Sequence, residues 1–293
     1  MPKGLIVNNI SNTYTVKMNK QAYICTAKGK FKNENIVPVV GDNIEFDIID
    51  EDKKEGVITE ILERNIYLKR PRVANVTQIM LVISIKSPKP DLLMLDKQIA
   101  FAEFLGLKPI IIINKSDLAK KGEMENIESI YTNIGYEVII TEAQKCIGID
   151  KIKEKLKNNI TVFSGNSGVG KSTITNSLLG TIKTKEGDIS KKNQKGKNTT
   201  TAVTIYETGK NSYIVDTPGF SSFDISEINY KDLKNYFIEF KKEECEFLDC
   251  SHTKERNCKV IDKVTAGVIS EERYKNYKNL YNILRESNKT LWV

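Results

Sequence analysis

Between residues 5 and about 68, apolar and polar positions alternate in short runs at 14–18, 23–26, 44–48 and 56–61. A period of two puts every second side chain on one face of a strand. Turn-forming Gly, Asn and Asp separate the runs, most clearly at Val40-Gly41-Asp42-Asn43. Five or so strands in so short a stretch predict a small barrel. An OB-type (oligonucleotide-binding) barrel and a plain scaffold barrel satisfy the pattern equally.

After Pro71 the pattern changes to apolar runs alternating with amphipathic helical text. Strands are predicted at 78–85, 109–113, 137–140, 160–163 and 212–215, and helices at 92–105 and 123–134. That alternation implies a parallel sheet with helices on both faces. Residues 181–198, rich in Lys, Gly and Asn and without periodicity, read as a mobile loop. From about residue 229 the text is charged and helical, with helices expected at 230–242 and 271–285. The chain therefore reads as multidomain α/β, divided at 1–70, 71–228 and 229–293, and its 293 residues exceed what one core usually organises.

Composition narrows the class. With 40% hydrophobic and 28% charged residues the chain is of ordinary globular usage, which excludes a largely disordered or membrane-embedded protein. The longest apolar runs, 79–83 and 110–113, are too short to span a bilayer, and residues 1–12 lack a signal-peptide stretch. A cytoplasmic protein with no membrane partner is expected. Nothing in the sequence demands a dimer, so a monomer is expected too. The net charge of +7 favours a polyanionic partner. It is overwhelmingly lysine: no arginine falls between Arg72 and Arg256.

The run at 160–163 leads directly into Gly165-Asn166-Ser167-Gly168-Val169-Gly170-Lys171-Ser172, and helical text begins at Thr173. This is a phosphate-binding loop in its strand-to-helix setting. Glycines let backbone N–H groups converge on phosphate oxygens at a helix N-terminus, where the dipole favours anions. Lys171 is expected on the β- and γ-phosphates and Ser172 on magnesium. Chance supplies such a pattern in a chain of this length on the order of one per cent of the time. Downstream, the run at 212–215 ends at Asp216-Thr217-Pro218-Gly219, where Asp216 would hold magnesium through water and the Gly219 N–H would meet the γ-phosphate. An ordinary Pro-Gly turn is the alternative there.

Asn114-Lys115-Ser116-Asp117 ends the all-isoleucine strand. An Asp in this place accepts from guanine N1–H and the 2-amino group; adenine lacks both donors. Thr141-Glu142-Ala143 lies where a second base-contacting loop belongs, although its match is poor. The base-reading segment precedes the phosphate loop, the reverse of the usual GTPase order. A sheet accepts such a permutation when the old ends are joined and the chain is opened elsewhere.

Cys245, Cys250, His252 and Cys258 form C-x4-C-x-H-x5-C. Three thiolates and an imidazole make a closed tetrahedral shell for one structural Zn2+. The alternative is three buried cysteines and a surface histidine. Cys25 and Cys146 lie outside the cluster and read as packing residues, and the helical spacing of Tyr274, Tyr277, Tyr281 and Trp292 favours packing over RNA stacking.

The permuted order, the Gly196-Lys197-Asn198-Thr199-Thr200-Thr201 segment and the cysteine cluster together resemble the ribosome small-subunit-dependent circularly permuted GTPases of ribosome biogenesis, over essentially the whole chain. The resemblance implies an N-terminal OB barrel, a permuted P-loop GTPase domain and a C-terminal helical zinc-binding domain. It also implies GTP/GDP with Mg2+, the 30S subunit with its 16S rRNA, and other assembly factors as partners. The family carries a histidine just before the threonine triplet as its water-positioning group; here that residue is Asn198. Thr200, or a neighbour among Thr199 and Thr201, is expected on magnesium and the γ-phosphate.

Lys171, Asn198 and Thr200 are thus the catalytic candidates. Phe220 stands where many GTPases have a glutamine, and a phenyl ring cannot orient water. No arginine lies between Arg72 and Arg256, so an arginine finger from the GTPase core is excluded by composition. Slow intrinsic turnover, raised by a ribosomal partner, is therefore expected. Competing classes are an RNA-binding module that only senses nucleotide, and a permuted GTPase acting on tRNA or at a membrane.

Overall fold

The computed structural model describes residues 1–29, 31, 36–69, 71–183, 203–216, 225–241 and 243–290. The chain opens with strands β1 (Lys3–Ile10), β2 (Thr13–Met18), β3 (Gln21–Ala27), β4 (Asn43–Asp50) and β5 (Glu55–Ile61). A short hairpin, β6 (Tyr67–Lys69) with β7 (Arg72–Ala74), follows. Next come β8 (Gln78–Ser84), α1 (Leu92–Phe104), β9 (Lys108–Asn114), α2 (Glu123–Thr132), β10 (Glu137–Ile140) and α3 (Ile149–Leu156). Then follow β11 (Ile160–Ser164), α4 (Lys171–Lys183), β12 (Thr204–Gly209), β13 (Ser212–Asp216), α5 (Lys259–Thr265) and α6 (Glu271–Thr290). Among the described residues no helix is long and apolar enough to cross a membrane.

The chain forms two compact units. The first comprises Met1–Gln78, Ile149–Phe163 and Ser172–Phe220. In it β1, β2, β3, β5 and β4 pair in that order, and β4 returns to β1 to close a five-stranded barrel. Only β3–β5 is parallel. The alternating residues Tyr14 and Val16, Tyr23 and Cys25, and Ile44 and Phe46 fill the interior, as a period of two requires. Outside the barrel, β1 pairs antiparallel with β12 through Asn8 and Thr204. β12 turns back on β13, which runs parallel to β11. Helix α3 buries Ile149, Ile152 and Leu156, one stripe at helical spacing.

The second unit comprises Ile79–Gly148, Ser164–Lys171 and Ser221–Val293. β9 lies between β8 and β10 and runs parallel to β10. Every residue of β8 is buried, which explains its unbroken apolar text. Helix α1 packs against α6, and the turns at 233–240 pack their aromatic residues on α6: the Tyr277 ring stands 5.0 Å from Phe237 and 4.9 Å from Phe240.

Three expectations need correction. Residues 230–241 do not form a helix; they are turns with one 3-10 segment, Leu233–Tyr236. The apolar spacing there marks which residues face α6, and a bent chain brings Leu233, Phe237 and Phe240 inward just as well. Helix α4 continues through Lys183, so the first residues of the expected loop at 181–198 are helical, and the remainder lies outside the described residues. Cys25 is buried as expected, but Cys146 is exposed, because it closes the short turn Ala143–Lys145 in a left-handed conformation.

Candidate nucleotide and zinc sites

The loop from Gly165 to Lys171 leaves the end of β11 and enters α4. Gly165 has φ 149°, and a Cβ there would lie 2.1 Å from the Val82 carbonyl oxygen. Gly170 has φ 103°, and its Cβ would lie 2.1 Å from Asn114 Nδ2. Only glycine allows both the conformation and the approach. Lys171 Nζ donates to the carbonyls of Gly165 at 2.5 Å and Asn166 at 2.9 Å, so its ammonium folds back over the loop. Its partial burial lowers its pKa, since desolvation disfavours the charge. Ser172 and Thr173 occupy the first turn of α4, which presents its unpaired N–H groups and positive dipole end to the loop.

The base-reading segment is fastened to this loop. Asn114, at the end of β9 and 2% exposed, donates from Nδ2 to the Val169 carbonyl at 2.9 Å. Its Oδ1 accepts from Thr141 Oγ1 at 3.0 Å and from the Ala143 N–H at 3.2 Å. Lys115 is held left-handed at φ 60° and donates from Nζ to the Gly168 carbonyl at 2.7 Å and to the Ser87 carbonyl. Asp117 stands exposed on the single 3-10 turn Ser116–Leu118. Asn114 thus links three segments: its own, the phosphate loop, and the Thr141–Ala143 stretch that the sequence matched poorly. A lone asparagine gives no sequence signal for such a clamp.

Helix α1 adds two supports. Gln98 Nε2 donates to Ser164 Oγ at 3.0 Å, and Asn166 Nδ2 reaches Asp91 Oδ2 at 3.5 Å. Sequence reading missed the α1 side of both contacts, because neither Gln98 nor Asp91 belongs to a motif. Asp216 closes β13. Asn198, Thr199, Thr200, Thr201, Gly219 and Phe220 lie outside the described residues.

Cys245, Cys250, His252 and Cys258 bring their ligand atoms within 4.8 Å of one another. His252 Nδ1 lies 3.5 Å from Cys245 Sγ, 3.4 Å from Cys250 Sγ and 3.3 Å from Cys258 Sγ. The Cys245 and Cys258 sulfurs are 3.8 Å apart. A tetrahedron with zinc–sulfur bonds of about 2.3 Å has edges of about 3.8 Å, and its sulfur–nitrogen edges are slightly shorter, so the donor set fits zinc in kind and in spacing. Burial pushes the Cys250 thiol up to about 12 and also raises Cys258, while it lowers His252.

The surrounding residues brace the cluster. Tyr274 Oη donates to the His252 carbonyl at 2.9 Å, and Tyr277 Oη to the Ser251 carbonyl at 2.6 Å. Burial opposes the Glu255 charge, but hydrogen bonds from Ser251 Oγ and from the N–H groups of Lys254 and Ser251 hold its carboxyl at about 2.

Comparison with known proteins agrees with this arrangement. Residues 61–226 match the RsgA GTPase family, residues 3–58 the RsgA N-terminal domain, and residues 160–293 a family described as 50S ribosome-binding GTPase. A small ribosomal subunit biogenesis GTPase RsgA from Alkaliphilus metalliredigens is 36% identical over 99% of this chain and 100% of its own length. Its counterpart from Clostridium acetobutylicum is 41% identical over 96% of this chain and 97% of its own. Among solved structures, YjeQ from Thermotoga maritima superposes with a TM-score of 0.83 at 34% identity, covering 97% of this chain and 98% of that one. YloQ, a circularly permuted GTPase, gives 0.80 at 30% identity, covering 98% and 96%. With its barrel, its reversed nucleotide motifs and its cysteine–histidine cluster, the chain belongs to the RsgA GTPase family.

Proposed function

We propose that this GTPase binds the 30S ribosomal subunit through its 16S rRNA and assists late maturation of the subunit, cleaving GTP slowly alone and faster when bound. The observation that carries the nucleotide part is the pair of bonds from Asn114 to Val169 and from Lys115 to Gly168. They hold the Asp117 segment and the Lys171 loop together as one nucleotide cradle. Asp117 accepts from the guanine edge. Lys171 and the N–H groups of Gly165, Asn166, Ser167, Gly168, Val169, Gly170, Ser172 and Thr173 receive the phosphates.

Ser172 and Thr200 would hold magnesium with support from Asp216, and the Gly219 N–H would meet the γ-phosphate. When bound, magnesium neutralises charge on the phosphate oxygens. Asn198 orients the attacking water but cannot take up its proton at neutral pH. With Phe220 where many GTPases carry a glutamine, hydrolysis in the free protein is slow, and a ribosomal partner raises it.

The relatives, small ribosomal subunit biogenesis GTPases, support the ribosomal part of the reading. The division 1–70 (barrel, RNA binding), 71–228 (GTPase) and 229–293 (zinc-binding) follows from it, with both end domains on rRNA and the zinc structural. Action as a cytoplasmic monomer alongside other assembly factors completes the proposal. Single-turnover GTP cleavage with and without 30S subunits, together with co-sedimentation in a GTP analogue, tests it; equal rates or absence of co-sedimentation overturn it. Phe220 and Asn198 favour a second reading, a nucleotide sensor that does not hydrolyse, and zero turnover on the subunit would select it.

A further inference from the structure

A groove of about 1080 Å³ in the first unit is lined by none of the residues assigned above to nucleotide or zinc. Five lysines and one carboxylate line it: Lys17, Lys20, Lys153, Lys157, Lys210 and Glu207. The carboxylate is already engaged, because Glu207 is ion-paired with Lys17 across the β1–β12 junction. Lys153 reaches Asp150 on its own helix at 3.2 Å, an exposed pair that contributes little. Lys20, Lys157 and Lys210 are exposed and enter no ion pair among the described residues.

These three lysines sit in one repeated local arrangement. Each adjoins an asparagine held left-handed: Asn19 at φ 56°, Asn158 at φ 58° and Asn211 at φ 54°. They belong to the β2–β3 turn, the end of α3 and the β12–β13 turn, three tight turns from distant parts of the sequence. Asparagine tolerates this conformation, so each turn is closed at a defined backbone position and carries its lysine at a fixed root. Hydrogen bonds tie two of the turns together: the Asn158 N–H donates to Ser212 Oγ at 3.0 Å, and Ser212 Oγ donates to the Lys210 carbonyl at 3.0 Å.

The lining chemistry identifies the ligand class. Among the described residues no aromatic ring lines the groove, so none of them stacks on a base there. Lysine is a flexible point charge, suited to phosphate oxygens rather than to the bidentate reading of base edges. Spread along an open groove, the ammonium groups match the spacing of a polyanion better than that of one compact anion.

We propose that this groove binds the ribose–phosphate backbone of RNA and is a contact surface separate from the nucleotide and zinc sites. The inference rests on the reading that RNA is the partner of this chain, and it locates one place where that partner is held.

The test is a Lys20→Gln, Lys157→Gln, Lys210→Gln triple variant, with the exposed lysines of the middle region, Lys108→Gln, Lys120→Gln, Lys121→Gln, as a charge-matched control. Affinity for purified 30S subunits is measured against salt concentration, and separately for a 20-base-pair RNA duplex. The groove variant is expected to lose roughly tenfold to a hundredfold in affinity and to lower the salt slope by about two to three, while its GTP affinity and melting temperature stay unchanged. Unchanged affinity and slope, or an equal loss in the control, overturns the groove. If the unmodified protein fails to bind 30S subunits, the proposed function fails, and the duplex measurement then decides the groove alone. Equal duplex binding by the two triple variants refutes it.

Discussion

Arg273 on α6 donates from Nη1 to Asp96 Oδ1 on α1 at 2.5 Å, with each side chain 1% exposed. Glu239 takes the other side of the guanidinium, and Asn276 and Tyr131 bond the Asp96 carboxylate at 2.8 and 3.1 Å. Desolvation opposes the Arg273 charge, but the two carboxylates more than offset it and its pKa rises. For Asp96 desolvation dominates and lifts the carboxyl to about 6 in spite of Arg273.

Arg273→Met is therefore expected to destabilise the protein by about 3–5 kcal/mol, because two buried carboxylates lose their cation. Adding Asp96→Asn and Glu239→Gln should restore most of it. An acid whose folded pKa lies above its unfolded value contributes stability at low pH and loses it as pH rises through the folded pKa. Between about pH 4 and 6 the Asp96 contribution therefore falls, and Asp96→Asn flattens that slope. Without Arg273 the desolvated Asp96 charge goes uncompensated, so the Arg273→Met deficit grows with pH. Urea denaturation across this range measures both effects.

Gly170→Ala places a methyl group against Asn114 Nδ2 and forces alanine to φ 103°. The strain is on the order of 1–3 kcal/mol, and relieving it displaces the clamp on the phosphate loop. Calorimetry is expected to show GTP affinity reduced roughly tenfold to a hundredfold. Wild-type affinity would remove the clamp from the account.

Asp117→Asn exchanges an acceptor for a group that can also donate. The amide oxygen can still accept from guanine N1–H, but the 2-amino group then faces a donor and loses its partner at about 1–3 kcal/mol, whereas the 2-oxo group of xanthine gains a donor. GTP binding should weaken by about two orders of magnitude and XTP binding should strengthen. Equal weakening of both nucleotides would show that Asp117 does not read the base.

Zinc removal is expected to loosen the chain on both sides of the cluster, because the His252 and Ser251 carbonyls that accept from Tyr274 and Tyr277 lie within it. Burial raises the Cys250 and Cys258 thiols, so zinc binding must expel their protons and its affinity must fall as pH is lowered. Competition with a chromophoric chelator at several pH values measures this, and limited proteolysis after chelation should cut near residues 245–258. Protein purified without chelator and found free of zinc would contradict the assignment.

The sequence made legible whatever is locally encoded. Residues 79–83 and 110–113 are unbroken apolar runs because they are buried on every side, and Tyr14, Val16, Tyr23 and Cys25 alternate because one face of each strand fills the barrel. The phosphate loop was readable because its glycines answer to backbone geometry within seven residues. What escaped depends on remote partners. Asp96 looks like an ordinary polar residue of a helix, and its cation lies 177 positions away. The stretch at 230–241 has helical spacing, yet Phe237 and Phe240 stack with their rings 5.4 Å apart and face Tyr277, a constraint that periodicity does not express. Asn114 reads as one letter of a base-binding motif, while its buried amide joins three strand-end loops.

The antiparallel partnership of Asn8 and Thr204 has a mechanical corollary. Thr204 follows the threonine triplet by only a few positions, and through this pairing β12 is moored to the barrel's opening strand. A pull exerted on that strand from outside would pass into β12 and, through its antiparallel turn, into β13.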